Sequence, residues 1–389
     1  MSKSDSTASP RSDKPAKPYP AFPLYAHATK RWAKKIRGSL HYFGPWGDPD
    51  GALKKYEEQK EALHAGRKPR EQASIGVTIK ELCNAYLNHK KALLDAGELS
   101  PHTWRNYQQA ADLLIERFSK NRLVEDVGPD DFAELRKWMA KKWGVVRVKD
   151  FILRVRGVFK FGAESALLNK PVIFGPGFKT PTRKTIRLEK AKHGPKMFEQ
   201  EEVLSMLKSA QSKQLKCMIL LGLNCGFGNA DCGTLPLSAV DLDRGWINYH
   251  RPKTGIERRN PLWPGTVAAL REVIAERRSP KDPANQSLVF VTRTGGSWHK
   301  TDMEDSTISK EMRKLLNELG INGKRNFYAL RHTFETIGGE AKDQVAVDAL
   351  MGHVRDDMAS VYRERISDER LKAVSDHVRK WLFGEGGVM

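Results

Sequence analysis

The sequence predicts a mainly α-helical protein with small β elements, arranged as a ββα module, a helical bundle and an α+β domain. Apolar residues recur at helical spacing through most of residues 77–168, which is typical of amphipathic helices. Short apolar or aromatic runs bounded by turn residues, the pattern of strands, occur near residues 30–43 and 246–262. Between the two helical regions, residues 169–196 are rich in proline and glycine, which indicates a linker.

The composition narrows the class of protein. At roughly 150 residues per domain, the 389 residues are enough for two or three domains. Lys and Arg number 67 against 47 Asp and Glu, a net charge of +20, which favours an anionic partner and points to nucleic acid. The chain has no run of about 18 apolar residues and begins with a polar segment, so we expect neither a membrane span nor a signal peptide. A cytoplasmic, DNA-associated protein is the expectation.

The N-terminal part predicts a small module behind a tail. Residues 1–20 are rich in Ser, Pro and Lys and are expected to be mobile. Over residues 21–74 we expect two short strands and a helix, the latter from Asp50 to about His64. Cations accompany Trp32 on the first strand, so we interpret it as a surface that contacts DNA phosphates, although a merely solvated charged strand is the alternative. These cations are Lys30, Arg31, Lys34, Lys35 and Arg37.

Residues 75–168 predict four helices that form a bundle. Thr78, Ser100-Pro101 and Pro129 are suitable helix starts. The fourth helix, near residues 146–166, has an apolar face and a basic face. The basic face predicts a DNA-contacting surface made of Arg147, Lys149, Arg154, Arg156 and Lys160.

The linker, residues 169–196, carries eight Lys and Arg against one Glu. This bias favours a strap that crosses a DNA backbone over an ordinary linker. The cations expected to contact DNA are Lys179, Arg183 and Lys184. Residues 197–389 then predict a second helical domain, interrupted by short strands near 246–250 and 258–262 that are joined through residues 253–255.

One set of motifs in this last domain indicates a catalytic site. An Arg-His-Thr sequence starts at Arg331, a Leu-Met-Gly-His turn ends at His353, and Tyr362 follows nine residues later. Lys253 lies in the turn of the predicted hairpin. In these features residues 77–383 resemble the tyrosine recombinase (phage integrase) family. The resemblance implies a helical, SAM-like core-binding domain at 75–168, an arm-type DNA-binding module at 21–74, and an α+β tyrosine-recombinase catalytic domain at 197–389.

The resemblance implies a site-specific recombinase that cuts and rejoins double-stranded DNA through a 3′-phosphotyrosine at Tyr362, working as a homotetramer on two duplexes. Such chemistry needs a nucleophile, an acid for the leaving 5′-oxygen and cations around the nonbridging oxygens. Tyr362 is the nucleophile, Lys253 the acid and Arg331 the phosphate-binding fork. His353 fits donation to phosphate or proton exchange with the tyrosine.

The sequence departs from the family's pattern in two places. Gly228 stands where the family has its first catalytic arginine, and Tyr328 stands where it has a histidine three residues before Arg331. A lost donor to a developing oxyanion commonly costs ~2.7–4 kcal/mol. Arg258 or Arg259 on the hairpin is therefore expected to replace part of the missing charge, and Tyr328 to keep a hydrogen-bond donor.

Two other functions are compatible with the sequence. One is an impaired recombinase relative that only binds DNA, and the other is a topoisomerase of similar chemistry that relaxes supercoiled DNA. We expect no metal, because Cys225 and Cys232 with His250 match no zinc spacing. No cofactor, nucleotide or small-molecule substrate is indicated either. A terminal helix beginning near Ser367 has an apolar stripe, which must be covered either within the chain or by a neighbouring subunit.

Overall fold

The computed structural model describes residues 14–64, 76–299, 306–354, 357–358 and 362–387. The chain divides into two compact units, Met1–Val77 and Thr78–Met389. Most of the predicted mobile tail, residues 1–13, lies outside the described residues. Among the described residues, no helix combines the length and apolar character needed to cross a membrane.

The first unit is a three-stranded antiparallel sheet followed by a helix. Its strands β1 (Tyr25–His27), β2 (Arg31–Ile36) and β3 (Ser39–Pro45) pair in that order, and α1 (Pro49–His64) follows. The sequence predicted β2, β3 and α1 but not β1, which has only three residues and so carries almost no periodicity. Gly38 turns the chain between β2 and β3 with φ +84°, a conformation that favours glycine.

The core of this unit forms where the sheet meets α1. Phe22, Trp32, Phe43 and Tyr56 are buried together. The ring of Tyr19 lies 5.4 Å from that of Phe22, and Lys17 donates to the Phe22 carbonyl. Part of the segment predicted as a tail therefore packs against the module.

The second unit begins with the predicted bundle. Its helices are α2 (Ile79–Asp95), α3 (Pro101–Phe118), α4 (Pro129–Lys142) and α5 (Val145–Glu164). Thr78 and Glu81 form a reciprocal capping box at α2, and Ser100 accepts from the Thr103 N–H at α3. The apolar faces meet in a core that includes Leu82, Leu114, Phe132, Leu135, Ile152, Val155 and Phe159.

The linker segment contains a helix that the sequence did not predict. α6 spans Arg183–Ala191 and is capped by Thr182, whose hydroxyl accepts from the Thr185 N–H. None of its residues is buried. The glycines and prolines that indicated irregular structure cluster on either side of it, at 171–181 and 194–195. Before α6, Phe174 and Phe178 pack against Phe132 of the bundle.

The remaining elements surround one large core. α7 (Gln200–Ser209), α8 (Lys213–Asn224) and α9 (Asn229–Gly233) precede an antiparallel sheet of β4 (Val240–Asp241), β5 (Trp246–Asn248) and β6 (Arg259–Pro261). The β5–β6 pair is the predicted hairpin, with shorter strands than expected. After it come α10 (Pro264–Ala275), α11 (Thr307–Glu318), α12 (Ala329–Gly339), α13 (Gln344–Met351) and α14 (Asp368–Phe383).

α14 is the predicted terminal helix, and its apolar stripe is covered within the chain. Leu371, Val374, Val378 and Leu382 are buried in the main core, where α14 packs against α12 and α13. The fold is therefore the predicted one: mainly α with two small antiparallel sheets.

Candidate active site

Arg331 lies at the centre of the candidate site and is only 2% exposed. It is held in the first turn of α12, and its guanidinium donates from Nη1 to the Gly226 carbonyl and from Nη2 to the Met351 carbonyl. Because a guanidinium carries five N–H donors, three have no hydrogen-bond partner among the described residues. Burial lowers the pKa of Arg331 to about 10, and the nearby charge of Arg251 acts in the same direction.

The turn between α8 and α9 brings Gly226 and Gly228 next to Arg331. Gly226 has φ +63°, and a Cβ there would lie 3.0 Å from both Met351 and Phe334, so glycine is needed for this close approach. Gly228 is different. Its φ of −103° and ψ of −174° suit any residue, and a Cβ would meet Tyr328 and Asp231 at an ordinary 3.4 Å.

Arg258, immediately before β6, points into the protein and forms a buried ion pair. Its Nη2 donates to Asp231 Oδ1 at 2.8 Å, and the other oxygen of Asp231 accepts from the Gly228 N–H at 2.7 Å. The Arg258 side chain has no exposed area. Burial lowers its pKa, while the carboxylate of Asp231 opposes that shift. Arg258 is thus linked through Asp231 to the turn that holds Gly228.

Arg259 points the other way. It donates from Nε and Nη2 to the carboxylate of Asp368, both at 2.8 Å, and its guanidinium lies 4.0 Å from the Trp246 ring centre. Neighbouring side chains alternate across a strand, so only one of the two hairpin arginines faces Gly228. That one is Arg258.

A third arginine, Arg251, lies on the other arm of the hairpin, and together with Arg331 and Arg258 it forms an arginine cluster. Its Nη1 donates to the Gly352 carbonyl at 3.2 Å, and Thr254 Oγ1 donates to the same oxygen. Gly352 ends α13 with φ +64°, and a Cβ there would lie 2.9 Å from Arg258 Cδ and 3.1 Å from Arg251 Cβ. Glycine therefore allows both arginines to pack against this turn.

His353 follows Gly352 and is held between two carboxylates. Its Nδ1 lies 3.4 Å from Asp348 and 3.5 Å from Glu335, and Gln344 donates to both acids. A proton on Nδ1 suits these acceptors and leaves Nε2 as the ring nitrogen for a ligand. The three groups are close enough to share a cation, with ligand atoms within 4.8 Å. The contacts of Asp348 and Glu335 are equally suited to orienting the His353 imidazole ring without a cation.

Lys253 and Tyr362 are exposed, and no described contact joins either of them to Arg331. Tyr362 is 76% exposed. The segment that follows it nevertheless lies beside the site: Arg363 lines a cavity of about 820 Å³ together with His353 and Arg258. Residues 355–356 and 359–361, which connect His353 to Tyr362, lie outside the described residues.

Tyr328 precedes α12 and lies beside Gly228 and Arg331. It is half-exposed, and its ring contacts that of His332 in an edge arrangement at 5.5 Å. Burial lowers the pKa of His332, and the charges of Lys196 and Arg331 add to the effect. The charges of Lys196 and Arg331 therefore act on the surface beside Tyr328.

The residues expected to contact DNA differ in availability. On β2 and its flanks, Lys30, Arg31, Lys35 and Arg37 are exposed, whereas Lys34 donates to the Tyr56 hydroxyl. On α5, Arg156 donates to the Phe178 carbonyl and lies over Phe174, so its first role is to hold the linker. The others are exposed or half-exposed, namely Arg147, Lys149, Arg154, Lys160, Lys179, Arg183 and Lys184.

Sequence reasoning missed Arg251, Asp231 and the acids beside His353. Arg251 had a usable signal, since it stands two residues before Lys253 in the same hairpin. Asp231 had one as well, because an acid three residues after Gly228 is a usual helix-capping spacing. Asp348 and Glu335 had no signal in the sequence, because they come close to His353 only when α12 and α13 pack together.

A helical bundle followed by an α+β domain, whose last helices surround a buried arginine, is the architecture of the tyrosine recombinase class. Residues 196–368 match the family model described as "Phage integrase family", so this part of the chain is similar to that family. No curated protein sequence matches the chain significantly.

Solved structures extend the similarity in fold to most of the chain. A lambda integrase tetramer bound to a Holliday junction is 16% identical, with a TM-score of 0.56, over 91% of this chain and 99% of that one. The Tn1549 transposon integrase in complex with a circular intermediate DNA is 15% identical, with a TM-score of 0.57, over 77% of this chain and 99% of that one.

Proposed function

We propose that this protein is a site-specific DNA recombinase that cuts and rejoins double-stranded DNA through a covalent link to Tyr362. The match of residues 196–368 to the phage integrase family model and the fold shared with two integrases solved in complex with DNA support a DNA strand transferase. The net charge of +20 supports an anionic partner.

In the proposed reaction the Tyr362 hydroxyl oxygen attacks the scissile phosphorus. The Oη–P bond forms as the bond from phosphorus to the 5′-oxygen breaks, and the DNA strand remains attached as a 3′-phosphotyrosine. Lys253 gives its proton to the leaving 5′-oxygen, and His353 accepts the tyrosine proton. Attack by a free 5′-hydroxyl then reverses these steps and releases the tyrosine.

Cationic side chains would stabilise the charge on the nonbridging oxygens. Arg331 presents unused N–H donors from a position fixed by two backbone carbonyls. Preorganised donors in a site that excludes water stabilise a transition state without the cost of reorganising. The proposal assigns this work to guanidinium, ammonium and imidazole groups.

One observation carries the proposal: the buried Arg331 donates a hydrogen bond to the Met351 carbonyl in the turn bearing His353, within the region that matches the family model. The segment after Tyr362 lines the same cavity as His353. A homotetramer on two duplexes is part of the proposal, supported by the fold shared with a lambda integrase tetramer. Since α14 is covered within the chain, any exchange of this helix would require it to leave that core.

The test is covalent trapping on nicked duplexes whose central bases are randomised, followed by denaturing gel electrophoresis. The wild-type protein should form an adduct that survives denaturation. Tyr362→Phe should bind the same duplexes with nearly unchanged affinity and form no adduct. Tight binding without an adduct from the wild-type protein would instead support the impaired relative that only binds DNA. Relaxation of plasmids that lack any cognate site would support the topoisomerase.

A further inference from the structure

The arginine cluster around Gly352 has more positive charge than its carboxylates neutralise. The charge of Arg251 lies close enough to lower the pKa of both Arg331 and Arg258. Among the described residues, only Asp231 forms an ion pair with any of them, and it pairs with Arg258. Two guanidinium charges therefore remain at a largely buried site. Partly desolvated charges need a counter-charge, and an anion between Arg331 and Arg251 would supply it.

Arg251 and Arg331 are arranged to bind the same ligand. They donate to consecutive carbonyls of one turn, Arg331 to Met351 and Arg251 to Gly352. Arg251 is partly exposed, and its backbone N–H donates to the Ile256 carbonyl at 2.7 Å. Two guanidinium forks held by one rigid turn suit the oxygens of a phosphate.

Neither of the other hairpin arginines fits this role. Arg258 is fully buried and neutralised by Asp231, and its links run to the Gly228 turn and to the Tyr249 carbonyl. Arg259 is paired with Asp368 on the opposite face. By elimination, Arg251 is the hairpin arginine for this role. It lies beside Arg331, is partly exposed, and has a charge that no carboxylate among the described residues neutralises.

We propose that Arg251 binds a nonbridging oxygen of the scissile phosphodiester and supplies the charge that Gly228 cannot. In this arrangement Arg258 is a positioning residue, which holds the Gly228 turn through Asp231. This inference rests on the proposed function, because it assumes that a phosphodiester is cleaved at Arg331.

The first experiment measures cleavage at saturating concentrations of the nicked-duplex pool. Arg251→Ala should slow adduct formation by ~10²–10³-fold, the usual effect of removing one donor to a developing oxyanion. Arg259→Ala is the matched control, since it removes an arginine from the same hairpin outside the cluster, and it should mainly weaken binding. Equal effects of the two substitutions on saturated cleavage would overturn the proposal.

A second measurement separates charge stabilisation from a structural role. In a duplex pool with one methylphosphonate at the scissile position, the reacting group is neutral. The rate of cleavage of this pool should therefore depend less on a cation. The cleavage defect of Arg251→Ala should shrink on this pool by at least tenfold, whereas a defect caused by misfolding would persist. An undiminished defect would show that Arg251 does not act on the phosphate charge.

A third measurement does not depend on catalysis. Crystals grown with tungstate, a phosphate analogue located by its anomalous scattering, should hold one anion between Arg331 and Arg251. The anion should be lost from crystals of Arg251→Ala and retained in those of Arg259→Ala. An anion there in a protein that forms no adduct would refute the proposed function while supporting the phosphate site. Adduct formation with no anion at Arg251, together with a small effect of Arg251→Ala, would refute the site alone.

Discussion

At the scale of single residues, the main finding concerns Gly228. The backbone conformation at this position does not require a glycine. Its φ and ψ are ordinary, and a Cβ would meet its neighbours at 3.4 Å. The backbone of this turn would therefore accept the arginine that the family resemblance leads us to expect at this position. We propose that Arg251 compensates, because its guanidinium binds the Gly352 turn beside Arg331.

This leads to a compensation experiment with Gly228→Arg. If Arg251 replaces the missing cation, Gly228→Arg should recover much of the cleavage lost in Arg251→Ala, while changing the otherwise wild-type protein less. The two rates to compare are those of adduct formation at saturating DNA. No recovery in the double variant would mean that a cation at position 228 cannot reach the phosphate.

The ion pair between Asp231 and Arg258 is predicted to be important for stability. Both side chains are buried, and removing one partner leaves an uncompensated charge, which typically costs about 3–5 kcal/mol. Asp231→Asn should therefore lower the free energy of unfolding by that order in chemical denaturation. Asp368→Asn, which breaks the exposed pair with Arg259, is the control and should cost about 0–1 kcal/mol. Similar losses from both would contradict the structural role given to Asp231.

At the scale of elements, hydrogen-bonded ion pairs join different segments of the fold. Asp343, before α13, pairs with Arg370 of α14, and Asp368 of α14 pairs with Arg259 of β6. Asp131 of α4 pairs with Arg122 of the preceding loop. In each case the hydrogen bond from arginine lowers the pKa of the aspartate below its ordinary 3.8.

These shifts predict how stability depends on pH. An aspartate with a lowered pKa in the folded state stabilises the fold at pH values above its unfolded pKa, and this contribution is lost as the pH falls through the folded pKa. The free energy of unfolding should therefore decrease as the pH drops below about 3.8. Asp343→Asn should flatten this acid limb in denaturation curves measured at several pH values. An unchanged slope would contradict the contribution assigned to the pair.

The elements also show what sequence patterns can and cannot predict. The bundle helices were predictable because their apolar stripes are long and their caps, such as Thr78 and Ser100, are clear. β1 and α6 were missed, since three residues show no periodicity and α6 buries nothing. Within the site, motif residues such as Arg331 were identifiable. The role of Arg251 required the contact between the hairpin and the Gly352 turn, which no local pattern encodes.

At the scale of the whole molecule, the excess of positive charge predicts the salt dependence of DNA binding. Exposed cations occur near β2, along α5 and around α6. A protein that makes 6–10 phosphate contacts loses ~10³–10⁵ in affinity between 50 and 200 mM salt, and we expect a loss in this range. Titration of a labelled duplex at several salt concentrations measures the slope. A flat slope would mean that these surfaces do not bind the backbone.

The central claim is that Tyr362 becomes covalently bound to DNA, and mass spectrometry of the trapped adduct tests it most directly. After digestion by nuclease and protease, the account predicts a nucleotide attached through phosphate to the peptide that contains Tyr362. Tyr362→Phe should yield no modified peptide from any part of the chain. A nucleotide on another residue, or a stable adduct formed by Tyr362→Phe, would contradict the account.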